Sequence, residues 1–85
     1  MTREQIAVFL YAYYGRPEVT GDLSGFVDGD KVSTWAVDAM IWATQNGIIT
    51  GALNEDGSLS LNPRKEATRA ETATMMVGFY HMVNG

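Results

Sequence analysis

The chain has 85 residues, no cysteine, 46% apolar residues and a formal net charge of −4. That length makes one domain at most, near the lower limit for folding alone, and the apolar fraction excludes a disordered chain. The missing cysteines exclude disulfides and a Cys-based metal site, and the acidic balance excludes a nucleic-acid partner, which needs a basic field to displace counterions.

Three helices are predicted, making the fold mainly α with long ordered loops. The first runs from Arg3 to Tyr14. Thr2 is a good N-cap and Gln5 lies three residues on, which is a capping box; Gly15 and Pro17 end the helix. The apolar run Ile6–Tyr14 is too short to span a bilayer. Glu4 precedes it, and neither a basic leader nor a small-residue cleavage site flanks it, so it does not read as a signal peptide. The helix is apolar all round, and such a helix calls for burial on every side. A further repeat or a second copy of the chain is expected to complete it.

Gly21, Gly25, Gly29 and Pro17 mark the next segment as a loop. The second helix is predicted from Thr34 to Asn46, capped by Ser33 and closed by Gly47 in the left-handed conformation. Ala36, Ala39, Met40 and Ala43 form a stripe of mostly small side chains. Trp35 and Trp42, seven apart, fall together on a neighbouring strip. Asn54–Ser58 reads as a tight turn, and Leu59 and Leu61 alternate with polar residues as a short extended piece would. The third helix opens at Thr68 with Glu71 as its reciprocal cap and runs to about Val83; Ala73, Met76, Val77 and Tyr80 form its apolar stripe.

Other chemistry is thin. Asp28-Gly29-Asp30 opens like a calcium loop, but Ser33 and Ala39 stand where glycine and glutamate belong; Asn54-Glu55-Asp56 fails in the same way, with Leu59 and Lys65 at those places. Asp28 and Asp30 are read as acceptors of backbone hydrogen bonds in the loop before the second helix. His81 is the only histidine and has no companion for metal or acid–base work. No catalytic triad, phosphate loop, metal site or cofactor motif is present, so an enzyme is not expected.

The two helix starts, Thr2-Arg3-Glu4-Gln5 and Thr68-Arg69-Ala70-Glu71, lie 66 residues apart, a separation that suggests an array of modules. Phe26-Val27-Asp28, Trp35-Ala36 with Asp38-Ala39, Asn46-Gly47-Ile48-Ile49 with Gly51, then Leu59, Pro63 and Thr68-Arg69-Ala70-Glu71 resemble, in order and spacing, the S-layer homology (SLH) domain. The resemblance divides the chain into the last helix of a preceding module (1–15), a linker loop (16–24) and one complete module (25–84). It implies an extracellular location on a bacterial cell wall. It also implies non-covalent binding of an acidic, often pyruvylated, secondary cell-wall polysaccharide, held between adjacent modules by the motif arginine and its neighbours.

Arginine at the first position of both helices is locally unfavourable, because helix dipoles favour anions there. A guanidinium beside free helix N–H groups would cradle a carboxylate; the ordinary alternative is a solvated arginine paired with Glu4 or Glu66. The candidate polysaccharide contacts are therefore Arg69, Arg3, Trp35, Gly51 and Glu71. The Trp35 indole suits either sugar stacking or core packing, Gly51 suits close approach to the backbone, and Glu71 is a cap first. Trp42 is read as core or inter-module contact. The rival function is a protein–protein assembly module that self-associates through the apolar first helix.

Overall fold

Both predicted capping boxes form, and they fix where the outer helices begin. In the computed structural model, which describes residues 1–84, α1 spans Arg3–Tyr14. The Thr2 hydroxyl accepts from the Gln5 amide, and the Gln5 side chain accepts from the Thr2 amide. α3 spans Arg69–Asn84, and Thr68 and Glu71 make the same reciprocal pair. Gly15 ends α1 at a φ of 107°, a conformation open to glycine.

Between them the chain makes a 3-10 turn at Gly29–Lys31, a second at Thr34–Ala36, then α2 over Val37–Gln45. The α-helical part of the middle element therefore starts later than its sequence pattern suggests, and Ser33 does not cap with its own side chain. Its amide and hydroxyl instead donate to the Glu4 carboxylate, at 3.0 and 2.7 Å. Glu4, 3% exposed, thus caps the start of the middle element from another helix.

A two-residue hairpin follows, β1 (Ala52–Leu53) antiparallel to β2 (Leu59–Ser60), with Ala52 opposite Ser60 and Leu53 opposite Leu59. The predicted turn at Asn54–Ser58 joins them, the Asn54 amide donating to the Ser58 carbonyl. Asp28 ties this hairpin to the preceding loop: its carboxylate accepts from the amides of Leu61 and Asn62, at 2.7 and 2.8 Å. Asp28 does accept backbone amides, but from the segment after the hairpin and not from the loop before α2 where they were expected, and the Asp30 carboxylate accepts none among the described residues.

The core lies where α1 and α3 meet α2. The small-residue stripe is fully used, with Ala36, Ala39, Met40 and Ala43 all buried under Ile6, Ala7 and Leu10 of α1 and their neighbours. Trp42 is buried at the centre of an aromatic cluster, its ring centroid 5.4 Å from Tyr11, 5.7 Å from Tyr14 and 6.1 Å from Phe79. One indole therefore contacts both outer helices. Trp35 is not its neighbour on a shared strip: the 3-10 turn rotates it out, to 60% exposure.

α3 faces the core with Met75, Gly78, Phe79 and Met82. Gly78 passes the Gly47–Ile48 backbone so closely that a Cβ there would sit 3.2 Å from the Gly47 carbonyl oxygen. The stripe of Ala73, Met76, Val77 and Tyr80 is exposed instead. α1 likewise leaves Phe9 and Tyr13 in solvent, at 58% and 76% exposure.

Replacing Asp28 with alanine leaves two backbone amides without their charged acceptor, at a cost of about 2 kcal/mol. For a domain of this size that lowers Tm by roughly 10 °C, measured by circular dichroism; Asp28→Asn, which keeps one acceptor, loses less.

Candidate functional site

Arg3 stands at the first position of α1, where its charge opposes the helix dipole. The structure accounts for it by turning the side chain inward, to 10% exposure. Nε donates to the Leu61 carbonyl at 2.8 Å, Nη1 to Glu71 Oε2 at 2.6 Å and Nη2 to the Thr50 carbonyl at a long 3.5 Å. One guanidinium thus links α1 to the turn after α2, to the end of the hairpin and to the start of α3. Its ion-pair partner is Glu71, not Glu4 or Glu66; Glu66 pairs with the amino terminus.

The α1 start offers no free N–H cradle. The Arg3 amide donates to the Lys65 carbonyl at 3.0 Å, the Glu4 amide to the Pro63 carbonyl at 2.9 Å, and the Gln5 amide to Thr2. The segment 63–66 is therefore laid against the head of α1 by backbone bonds. This brings up Lys65, a residue that no motif along the chain singles out. Lys65 is exposed and makes no ion pair among the described residues.

These residues enclose a cavity of about 340 Å³, lined by Arg3, the Ile48–Ala52 turn, Asn62, Lys65 and the first turns of α3 with Ala70 and Glu71. Arg3, Gly51 and Glu71 of the five candidate contacts meet there; Arg69 and Trp35 line neither this cavity nor the larger one described below. Gly51 is held to glycine from the far side: a Cβ would lie 2.7 Å from the Phe26 ring. The close approach it permits is that of Phe26.

Glu71 has three tasks at once. It caps α3, it neutralises Arg3 and it faces the cavity. The Thr68 amide bonded to it is the main cause that holds its carboxyl below the usual range, with the charges of Arg3 and Lys65 acting in the same direction and desolvation against them.

A second cavity, of about 450 Å³, lies between the loop Gly21–Ser24, Phe26, Val27, Asp30 and α2. Its charged lining residues are Asp22 and Asp30. With carboxylates and no cation, it is unsuited to an acidic ligand, whereas the smaller cavity has Lys65 at its wall and Arg3 beneath.

Known proteins share both the sequence pattern and this fold. The model of the S-layer homology domain family matches residues 25–73. The chain is 35% identical over 75 residues to the Surface-layer 125 kDa protein of Lysinibacillus sphaericus, covering 88% of this chain and 6% of that protein. In structure it resembles the undecaheme cytochrome from the S-layer of Carboxydothermus ferrireducens, with a TM-score of 0.75 and 25% identity over 99% of this chain and 13% of that one. The chain thus spans a small part of each of these much longer proteins.

The lowered Glu71 pKa sets a pH dependence. A carboxyl that titrates lower folded than unfolded contributes stability above its unfolded pKa and loses it as pH falls through the folded value. Below the ordinary carboxylate range, Tm of the chain should therefore fall more steeply than that of Glu71→Gln. Parallel acid limbs in calorimetry would contradict this.

Proposed function

The chain belongs to the S-layer homology domain family, and from that premise we propose that it anchors a bacterial surface protein by binding an acidic, pyruvylated cell-wall polysaccharide in the cavity over Arg3. Its family and its surface-layer relative put it at the bacterial cell surface, in association with S-layers, and suit a structural module rather than a catalyst.

The observation that supports the ligand class is the cavity itself. It lies in the volume range of small-ligand sites, and its free charge is the Lys65 ammonium. Arg3 is already neutralised by Glu71 and held by carbonyls. It therefore keeps the walls in place, and a sugar carboxylate pairs with Lys65, the cation whose donors are unspent. Glu71 and the exposed backbone of the Thr50–Ala52 turn offer acceptors to sugar hydroxyls. Such a site is selective for an acidic sugar with flanking hydroxyls, and its affinity should fall as salt rises.

Calorimetric titration with a pyruvylated wall polysaccharide should give saturable heat. Lys65→Ala, an exposed change that leaves the fold intact, should weaken binding about tenfold, the loss of one charge-assisted hydrogen bond. Absence of heat with the unaltered chain, or equal affinity in the variant, would contradict the assignment.

A further inference from the structure

The cavity over Arg3 holds more unspent chemistry than the Lys65 ammonium. Arg3 and Glu71 are spent on each other and on the backbone, and the Thr74 hydroxyl donates to the Ala70 carbonyl. Thr50 adds one freely rotating hydroxyl. Asn62 adds a carboxamide, with donors on one atom and an acceptor on another in a fixed plane. Neither end of that carboxamide has a hydrogen-bond partner among the described residues.

The backbone is bent to put it there. Asn62 has a φ of 51°, in the left-handed region, which asparagine tolerates better than most residues. Pro63 follows, and a residue before proline favours extended backbone. Contacts on two sides hold the turn against that preference. On one side the Asp28 carboxylate accepts from the Leu61 and Asn62 amides. On the other, Arg3 Nε donates to the Leu61 carbonyl and the Arg3 amide to the Lys65 carbonyl. The Lys65 amide closes the turn on the Asn62 carbonyl at 3.1 Å. Asn62 and Lys65 are thus the two ends of one clamped turn, and both line the cavity. Glycine would serve the left-handed backbone at less steric cost, and the exposed Asn62 side chain has no packing role to set against that. Ile48, Ile49 and Met75, also in the lining, are buried and apolar, so their side chains offer a sugar no polar contact.

We propose that Asn62 is the specificity-determining residue of this cavity: its carboxamide hydrogen-bonds the hydroxyls beside the ligand's acidic group, while Lys65 pairs with the acid itself. This rests on the reading of the cavity as a glycan site. Recognition is divided between the ends of the turn. Lys65 supplies attraction that any anion satisfies and that salt screens. Asn62 supplies direction, accepting from one hydroxyl and donating to its neighbour, and it is neutral. A sugar with hydroxyls in the wrong places leaves the carboxamide unpaired when water is displaced, and that penalty rejects it.

Two substitutions test this. Asn62→Gly keeps the left-handed backbone and removes the carboxamide; Asn62→Asp keeps the shape but replaces the donors with a charged acceptor. In calorimetric titration with the pyruvylated polysaccharide, Asn62→Gly should bind about fivefold more weakly, the loss of neutral hydrogen bonding. Its Tm and the salt dependence of its affinity should match those of the unaltered chain, whereas Lys65→Ala flattens the salt dependence. Asn62→Asp should bind more weakly than Asn62→Gly, and should stay weak at high salt, where its added charge is screened. Unchanged affinity in Asn62→Gly would overturn the proposal. So would a flattened salt dependence in that variant, which would mean a slack turn that has lost Lys65. Should Asn62→Gly not fold, Asn62→Asp decides: affinity equal to that of the unaltered chain at high salt overturns the assignment. No heat with the unaltered chain sinks the glycan reading and this one together. Heat that Lys65→Ala weakens and Asn62→Gly does not sinks this one alone.

Discussion

A buried guanidinium with three separate obligations organises this molecule. Arg3 reaches from the first turn of α1 to the Leu61 carbonyl, the Thr50 carbonyl and the Glu71 carboxylate. A charge taken out of water is tolerated only when it is paired and its donors are used. The pairing here binds segments that lie far apart in the chain. Remove it, and α1 keeps its apolar contacts with α2 but loses its polar connection to the hairpin and α3. The carboxylate of Glu4, buried against Ser33 one residue later, fastens the other side of the same turn. Two adjacent charged residues thus position one short helix on the body of the domain.

What is legible in the sequence is local. The capping boxes act over three residues, so Thr2–Gln5 and Thr68–Glu71 can be placed from their own residue types. The glycines that end α1 and α2 act over a similar range, and the Asn54–Ser58 turn needs only its own residues. What escapes is long-range. Ser33 looks like a cap, yet its amide and hydroxyl go to Glu4, twenty-nine positions earlier. Lys65 enters the site because the backbone around it is hydrogen-bonded to the head of α1, which no motif records. The apolar stripe on α3 is visible in the sequence, but periodicity reports that a face exists without saying which surface covers it; the core takes Met75 and Phe79 instead.

The misplaced arginine is the most useful anomaly. A cation at a helix start is a small local conflict, and such conflicts in a folded chain point to a compensation elsewhere. For Arg3 the compensation is Glu71 and two carbonyls. Arg69 repeats the conflict with no compensation inside the described residues. That contrast separates a guanidinium spent on joining three segments of the chain from one that is joined to none of the described residues. The cavity between α1, the Ile48–Ala52 turn and α3 exists because Arg3 draws its walls together. Its own free charge comes from Lys65.

Arg3 and Glu71 act as one unit across α1 and α3, and a double-mutant cycle tests this directly. Denaturant unfolding of Arg3→Ala, Glu71→Ala and the pair should show changes far from additive, with a coupling of roughly 1–3 kcal/mol, because either one alone undoes the same connection. Additive losses would contradict it and would mean that each side chain contributes independently of the other.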